Sequence, residues 1–426
     1  MLAAAVLFAL PFVKGPYVQE LGQNAVTVRV EVEPPQPVTV ELAGAADAGT
    51  RRIDSREARA FHSMRITGLD PGRKYVYTVR AGTTPQVGTF TTAPANTDKA
   101  SFSFLLYGDN RTDPAAHQSV VRAMAQSPSD FLVHTGDFVE DGREGGHWQA
   151  FFDIESPMLR DRCVFACVGN HELLEEAGDT FLRYFGPTFA QGEAPKLFGS
   201  FRWGNTRFFL LNGQNTFDSG TEIEWLRREL ASADNEAGLG FRIAVVHFGY
   251  RSAGPHGDNP RLLSAGVDKL LKEKKVDLVL SGHDHLYERG EEKGMRYVVS
   301  GGGGAPLYRV KQRLPSTRKL EATYHYVAFE VADSVVRLVA KRADGSILDT
   351  CSFGKSPGWD CDKSASVDKS VELGAPVPGT KAEAPPVRSA CGCGTADLAG
   401  SRAASLTSAG LIALLALRRR FRYSRS

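Results

Sequence analysis

Five short polar clusters each follow an apolar run: Gly108-Asp109-Asn110-Arg111, Gly136-Asp137, Gly169-Asn170-His171-Glu172, His247, and Gly282-His283-Asp284-His285. Asp, Asn and His together are the ligand set of a centre holding two divalent or trivalent metal ions, with Fe, Mn and Zn all compatible. Asp109 offers a carboxylate to one ion. Asp137 can bridge both ions through its two oxygens. Asn170 presents an amide oxygen, and His247, His283 and His285 present imidazoles. Two ions about 3.5–4 Å apart clamp a phosphate and acidify a bridging water towards a pKa of ~7, so hydroxide exists at neutral pH. His171, beside Asn170, stands where it can give a proton to the leaving oxygen. Glu172 is expected to hydrogen-bond an imidazole and fix its tautomer.

Taken one at a time these motifs are weak, because Gly-Asp after a strand is commonplace in turns and a lone His247 reads first as a core histidine. Their force lies in the order and in the elements before them. The apolar runs Phe102–Tyr107, Phe131–Thr135, Val164–Val168, Ile243–Val246 and Leu278–Ser281 read as buried strands. Every cluster therefore falls at a strand C-terminal end, where open α/β sheets carry their sites. Amphipathic stretches at Ala115–Gln126, Gly146–Leu159, Thr221–Ala231 and Pro260–Lys274 alternate with these strands and predict a largely parallel sheet. Thr221 or Ser219 is the expected cap of the third helix. Later runs at Tyr297–Ser300, Tyr324–Val331 and Val335–Ala340 lack intervening helices and predict flanking antiparallel strands, with Asp333-Ser334 as a hairpin turn. His283 and His285 would face opposite ways on an extended strand, so Gly282 is expected to supply a bend that re-aims them. Gly301–Gly304 reads by default as a turn, or else as a place where backbone approaches the site.

Residues 14–95 show strand-like alternation, as in Val26–Val32, Val38–Leu42 and Tyr75–Val79, broken by Pro34-Pro35, Pro71-Gly72 and Gly82. They predict a small all-β sandwich, either a binding module or a buttress for its neighbour. Residues 99–351 form the second domain. Residues 352–390, rich in Pro, Ser, Lys, Ala and Gly, read as a flexible linker. In the final stretch, 391–426, Cys391-Gly-Cys393 precedes an apolar segment, Ala403–Leu417, and an arginine cluster. As a helix that segment reaches only about 22 Å, short of a ~30 Å hydrocarbon core unless Arg402 and Arg418 snorkel. Met1–Val13 is either a signal-peptide core or a first buried strand. The formal charge of +2 over 426 residues gives no field for nucleic acid. Cys163 and Cys167 are too far apart along one strand to bridge and read as buried thiols. Cys351 and Cys361 close a short loop in which a disulfide forms if the chain is exported, and spacing alone leaves that open.

The motif series Gly-Asp, Gly-Asp, Gly-Asn-His-Glu, Val-Val-His and Gly-His-Asp-His resembles the calcineurin-like metallophosphoesterase superfamily. Gly282-His-Asp-His-Leu-Tyr-Glu-Arg289 and the preceding sandwich look like its purple acid phosphatase branch. The stretch Ile66-Thr-Gly-Leu69-Asp-Pro71-Gly72-Arg-Lys-Tyr75 resembles the end of a fibronectin type III domain, with Tyr75 as its corner tyrosine. These resemblances imply an α/β (α+β) fold, a four-layer αββα sandwich after a small fibronectin III-like sandwich. They imply one metal on Asp109, Asp137 and His285, a second on Asp137, Asn170, His247 and His283, His171 as acid, and His256 facing the substrate. Two positions depart from the pattern. Arg111 stands where most of the superfamily has a histidine ligand, and Glu140 stands where purple enzymes have a tyrosine. Arg111 reads equally as a phosphate-binding residue or as a surface salt bridge. The C-terminal arrangement resembles bacterial sorting tags of the MYXO-CTERM type, in which the apolar segment is a temporary membrane anchor. The implied protein is an exported, surface-attached phosphatase acting on small phosphorylated substrates. The rival expectations are a phosphodiesterase or nucleotidase at the same site, or a non-catalytic surface binding protein.

Overall fold

The computed structural model describes residues 11–44, 49–97, 99, 101–174, 178–186, 197–214, 217, 220–310 and 313–361. The expected C-terminal tag, most of the expected linker and the first ten residues lie outside the described residues. Phe12 and Val13 already belong to the first strand, so the sandwich begins two residues before the expected boundary.

Five antiparallel strands make the first domain: β1 (Phe12–Gln19), β2 (Ala25–Gly44), β3 (Arg51–Thr67), β4 (Lys74–Ala81) and β5 (Thr84–Thr91). β2 and β3 are each long enough to serve twice. Their register breaks between Glu31 and Val38, where Pro34, Pro35 and Pro37 remove ladder donors. Before the break β2 pairs with β1 and the end of β3, and after it with β4 and the start of β3. Alternate residues, Val26, Val28, Val30 and Val32 from one half and Val38, Val40 and Leu42 from the other, enter one shared core. The Tyr75 hydroxyl accepts from the Asp70 amide at 2.9 Å. This domain is bolted to its neighbour: Tyr77 Oη donates to the Arg160 carbonyl at 2.7 Å, Arg29 to the Tyr184 carbonyl at 2.8 Å, and Tyr184 Oη to Glu31 at 2.9 Å. Of the two roles expected for the sandwich, these contacts are those of a buttress.

The second domain has two seven-stranded sheets. The first runs β19 (Asp360–Cys361), β18 (Ile347–Phe353), β17 (Val335–Arg342), β16 (His325–Ala332), β6 (Ser101–Tyr107), β7 (Phe131–His134), β8 (Cys163–Ala166). The second runs β15 (Thr317–Glu321), β13 (Tyr287–Glu292), β14 (Met295–Ser300), β12 (Leu278–Gly282), β11 (Phe241–Phe248), β10 (Thr206–Leu211), β9 (Gly199–Trp203). Side chains alternate across each strand. Phe102, Phe104 and Leu106 of β6 meet Ile243 and Val245 of β11 between the sheets. Leu105 and Tyr107 instead face α1 (Pro114–Ala125) and α2 (Gly145–Leu159), and with them packs α3 (Asp179–Phe185). Ala244, Val246 and Val279 face α4 (Thr221–Ala233), α5 (Pro260–Ser264) and α6 (Val267–Glu273). The layer order is helices, sheet, sheet, helices.

Several elements differ from expectation for local reasons. The fourth expected helix is split by Gly266, whose φ of 69° suits a left-handed turn. α4 starts after Gly220, without a side-chain cap from Thr221, and Ser219 is outside the described residues. β13 is polar in sequence, yet its charges are satisfied internally: Glu288 accepts from Ala253 N at 2.7 Å and Tyr297 Oη at 2.9 Å, and Arg289 pairs with Asp349 at 2.6 Å. Because β13 and β14 form a hairpin, β14 runs parallel to β12 instead of antiparallel. The hairpin at Asp333-Ser334 is as expected. Cys351 and Cys361 are bonded and carry β19 onto the sheet, so residues 352–361 belong to the domain, not to the linker. Cys163 and Cys167 are free and buried.

Candidate metal centre

Parallel strands β6, β7 and β8 end together, and their C-terminal loops carry Asp109, Asp137 and Asn170. The neighbouring ends of β11 and β12 carry His247, His283 and His285. The six converge. Ligand atoms of Asp137, His247 and His283 lie within 4.8 Å of one another. His247 Nε2 is 3.2 Å from Asp137 Oδ1 and 3.0 Å from Asn170 Oδ1. His285 Nε2 is 3.6 Å from Asp109 Oδ1, and the His283 amide donates to both Asp109 oxygens at 3.1 Å.

Backbone conformation aims these groups. Asp109, Asp137 and His283 adopt left-handed φ values of 58°, 56° and 68°. For non-glycine residues this costs roughly 1–2 kcal/mol each, and such strain gathers at functional sites. The residue that re-aims the histidines is thus His283 itself. Gly282 ends β12 without a left-handed turn and contributes space, since a Cβ there would stand 2.3 Å from Asp109 Oδ2. Gly169 plays the same part beside Asp137, where a Cβ would sit 2.1 Å from Oδ1. The Gly301–Gly304 stretch is a close backbone approach, not a free turn: Gly303 N donates to the Gly108 carbonyl at 2.9 Å, and a Cβ at Gly301 would meet the Asp284 carbonyl at 2.3 Å.

Imidazole orientation is set by carbonyls. His247 Nδ1 donates to Thr135 O at 2.8 Å and His285 Nδ1 to Pro306 O at 2.7 Å, leaving each Nε2 for the centre. His171 Nδ1 donates to Glu140 O at 2.6 Å, and its Nε2 lies 3.8 Å from Asp137 Oδ2. Glu172 touches no ring. Its buried carboxylate instead accepts from the amides of Asp137, Phe138 and Gly169 at 2.8–2.9 Å and from Val139 at 3.3 Å, tying the β7 loop to the β8 loop. His134 is a support as well, accepting from Gly136 N at 3.0 Å and pairing with Asn110.

His256 reaches the rim, its ring 4.1 Å from that of His283, and its loop is held by Asp284, which accepts from His256 N at 3.2 Å. Arg111 pairs with Glu140 at 2.8 Å and lies 3.4 Å from Asp137 Oδ2. It is mostly buried at the centre, so a surface salt bridge does not describe it. Tyr308, without a motif to flag it, stacks on His285 at 4.1 Å and meets His256 Nε2 at 3.3 Å.

Electrostatics match a cation site. Burial pushes the Asp109 carboxyl up, and the nearby Asp137 adds to this. Burial pushes Asp137 the same way, but His247, His171 and Arg111 outweigh it and hold that carboxyl well below the usual range. Burial would lower His247, yet Asp137 and Asp109 raise it to about 9. Burial and Arg111 push His285 down to about 3. Its Nε2 is buried with no hydrogen-bond partner. A buried, unprotonated imidazole nitrogen facing a carboxylate fits a transition-metal ion, as does the mixed oxygen and nitrogen donor set.

Residues 102–287 match the model of the calcineurin-like phosphoesterase family. All six converging groups lie inside this matched segment, so the likeness to that family covers the candidate site itself. An uncharacterised protein of Mycobacterium tuberculosis is 26% identical over 279 residues, covering 55% of this chain and 51% of that protein. Purple acid phosphatase 23 of Arabidopsis thaliana is 24% identical over 287 residues, covering 57% of this chain and 62% of that protein. The chain thus spans about half the length of the first of these curated relatives. Among solved structures, a purple acid phosphatase from yellow lupin (Lupinus luteus) seeds superposes with a TM-score of 0.68 at 16% identity, covering 80% of this chain and 74% of its own. PhoD superposes with a TM-score of 0.67 at 13% identity, covering 84% and 93%. At these identities the likeness is one of fold. No helix among the described residues is long and apolar enough to cross a membrane.

Proposed function

We propose that this protein is a metal-dependent phosphoesterase that hydrolyses phosphomonoesters at a dinuclear centre. The observation that carries the reading is the convergence of Asp109, Asp137, Asn170, His247, His283 and His285 from two sheets onto one point. Bound ions there would supply Lewis acidity and a water with pKa lowered to about 7. The chain's own groups do the rest. Asp137, Asn170, His247 and His283 would hold one ion, and Asp109, Asp137 and His285 the other. His171, with Nδ1 fixed on the Glu140 carbonyl, directs Nε2 to the mouth of the site and gives a proton to the leaving oxygen. His256 and Tyr308 form the facing wall and bind phosphate oxygens, and the Arg111 guanidinium adds positive charge beside Asp137. The N-terminal domain is read as a fibronectin III-like buttress. Export, with surface attachment through a processed C-terminal tail, is the setting that accords with the Cys351–Cys361 bond.

The test is hydrolysis of an aryl phosphate beside an aryl phosphodiester and a nucleotide. Monoester turnover should dominate and should vanish in EDTA. Persistence in EDTA would end the metal-dependent reading, and faster diester cleavage would overturn the monoester preference.

A further inference from the structure

The two halves of the centre are not equally equipped. Asp137 has two oxygens, and they face different neighbours. Oδ1 is 3.2 Å from His247 Nε2, on the side where Asn170 and His283 complete a tight group of donors. Oδ2 is 3.4 Å from Arg111 Nε, and that nitrogen is buried with no hydrogen-bond partner. A bridging carboxylate must give one oxygen to each ion, so the oxygen left for the Asp109 and His285 side already lies against a guanidinium. That guanidinium cannot shed its charge, and it is braced in place by donating to Glu140 at 2.8 Å and to Thr112 Oγ1 at 3.3 Å. A permanent cation a few ångströms from a dication repels it strongly where water is scarce. Among the described residues, Asp109 and His285, 3.6 Å apart, are the acidic and imidazole donors placed on this side, and the Glu140 carboxylate is engaged by Arg111.

We propose that the two positions load unequally: one ion binds tightly between Asp137, Asn170, His247 and His283, whereas the position bounded by Asp109, Asp137 and His285 holds its ion weakly because Arg111 stands against the oxygen that ion needs. The inference rests on the reading of these six groups as a metal centre, not on phosphatase activity.

The experiment is metal content of the full chain, loaded with Mn²⁺ or Zn²⁺ and passed through a desalting column, with calorimetric titration of the second equivalent. Wild type should retain about one equivalent, with the second bound at least about a hundredfold more weakly. Arg111→Gln removes the cation without adding a ligand and should tighten the second equivalent about tenfold. Arg111→His adds a donor and should retain about two. Two equivalents of similar affinity in wild type would overturn the proposal, and so would an Arg111→Gln chain that folds by circular dichroism yet titrates like wild type. Retention of no metal would defeat the metal-centre reading itself. One tight equivalent without ester hydrolysis would defeat only the proposed function.

Discussion

The two sheets bring different chemistry to their common edge. The first, through β6, β7 and β8, delivers oxygen donors: Asp109, Asp137 and Asn170. The second, through β11 and β12, delivers nitrogen donors: His247, His283 and His285. Their supports differ accordingly. A short carboxylate is aimed by its own backbone, so Asp109 and Asp137 sit at left-handed φ, and the β7 and β8 loops are pinned together by the buried Glu172. An imidazole is aimed by the hydrogen bond at its other nitrogen, so His247 and His285 need only the Thr135 and Pro306 carbonyls. The oxygen edge is held by conformation at Asp109 and Asp137, and the nitrogen edge by tautomer at His247 and His285 and by conformation at His283, whose φ is 68°. The seam is where they depend on each other, for His247 leans on a carbonyl of the first sheet and Asp109 accepts the His283 amide of the second.

The largest break falls on the group shared by both ions. Asp137→Ala should abolish retention of metal and lower kcat/KM for an aryl phosphate by at least about a thousandfold, on the order of 4 kcal/mol of barrier. The histidine edge keeps its carbonyl bonds in that variant, so the fold should persist by circular dichroism. Metal retained at the wild-type level would show that the nitrogen edge alone makes the centre.

Glu172→Gln probes the conformational support with no change of ligand. Each glutamate oxygen serves two amides, Phe138 and Val139 on one side, Asp137 and Gly169 on the other. An amide group must turn its NH2 towards one of these pairs. Two buried donors then lose their acceptor, at about 1–3 kcal/mol each. We expect unfolding stability to drop by about 3 kcal/mol and metal to leave more readily, read by urea denaturation with and without metal. A variant as stable as wild type would mean the oxygen edge is held by its strands and not by this carboxylate.

Much of this centre was legible in the chain because ligands must be specific side chains and buried strands must be apolar. The five polar clusters lie where the strand ends predict them. What supports them was not legible. Glu172 sits beside two site residues and invites a role on a ring, but only the fold brings four amide groups to it. Tyr308 has no motif around it, and its stacking on His285 depends on the path of the glycine run after β14. β13 escaped notice because Arg289 is paired with Asp349 and Glu288 accepts from the hydroxyls of Thr317 and Tyr297, partners far apart in the chain or on a neighbouring strand. The sandwich strands were visible from their alternation, whereas the double use of β2 and β3 was not, since pairing across a proline break is a tertiary fact.

The smallest expected effect tests the seam away from the metal. His325 of β16 donates through Nδ1 to Thr323 O at 2.8 Å, and its Nε2 accepts from Ser300 Oγ of β14 at 3.1 Å, a link between the sheets beneath Gly302. Burial pushes this imidazole down to about 4. The folded protein therefore refuses a proton that the unfolded chain takes up below its ordinary value near 6.5. Stability is full above pH ~6.5, falls as pH drops from there to ~4, and levels below that, losing on the order of 3 kcal/mol from this group. His325→Gln keeps a side-chain amide between the sheets but cannot titrate. Its stability should sit slightly under wild type at pH 7.5 and converge on or exceed it by pH 4, read as the difference between the two denaturation curves. Parallel curves across that window would mean the seam admits water at His325, and the two edges would then be joined only through the metal ligands.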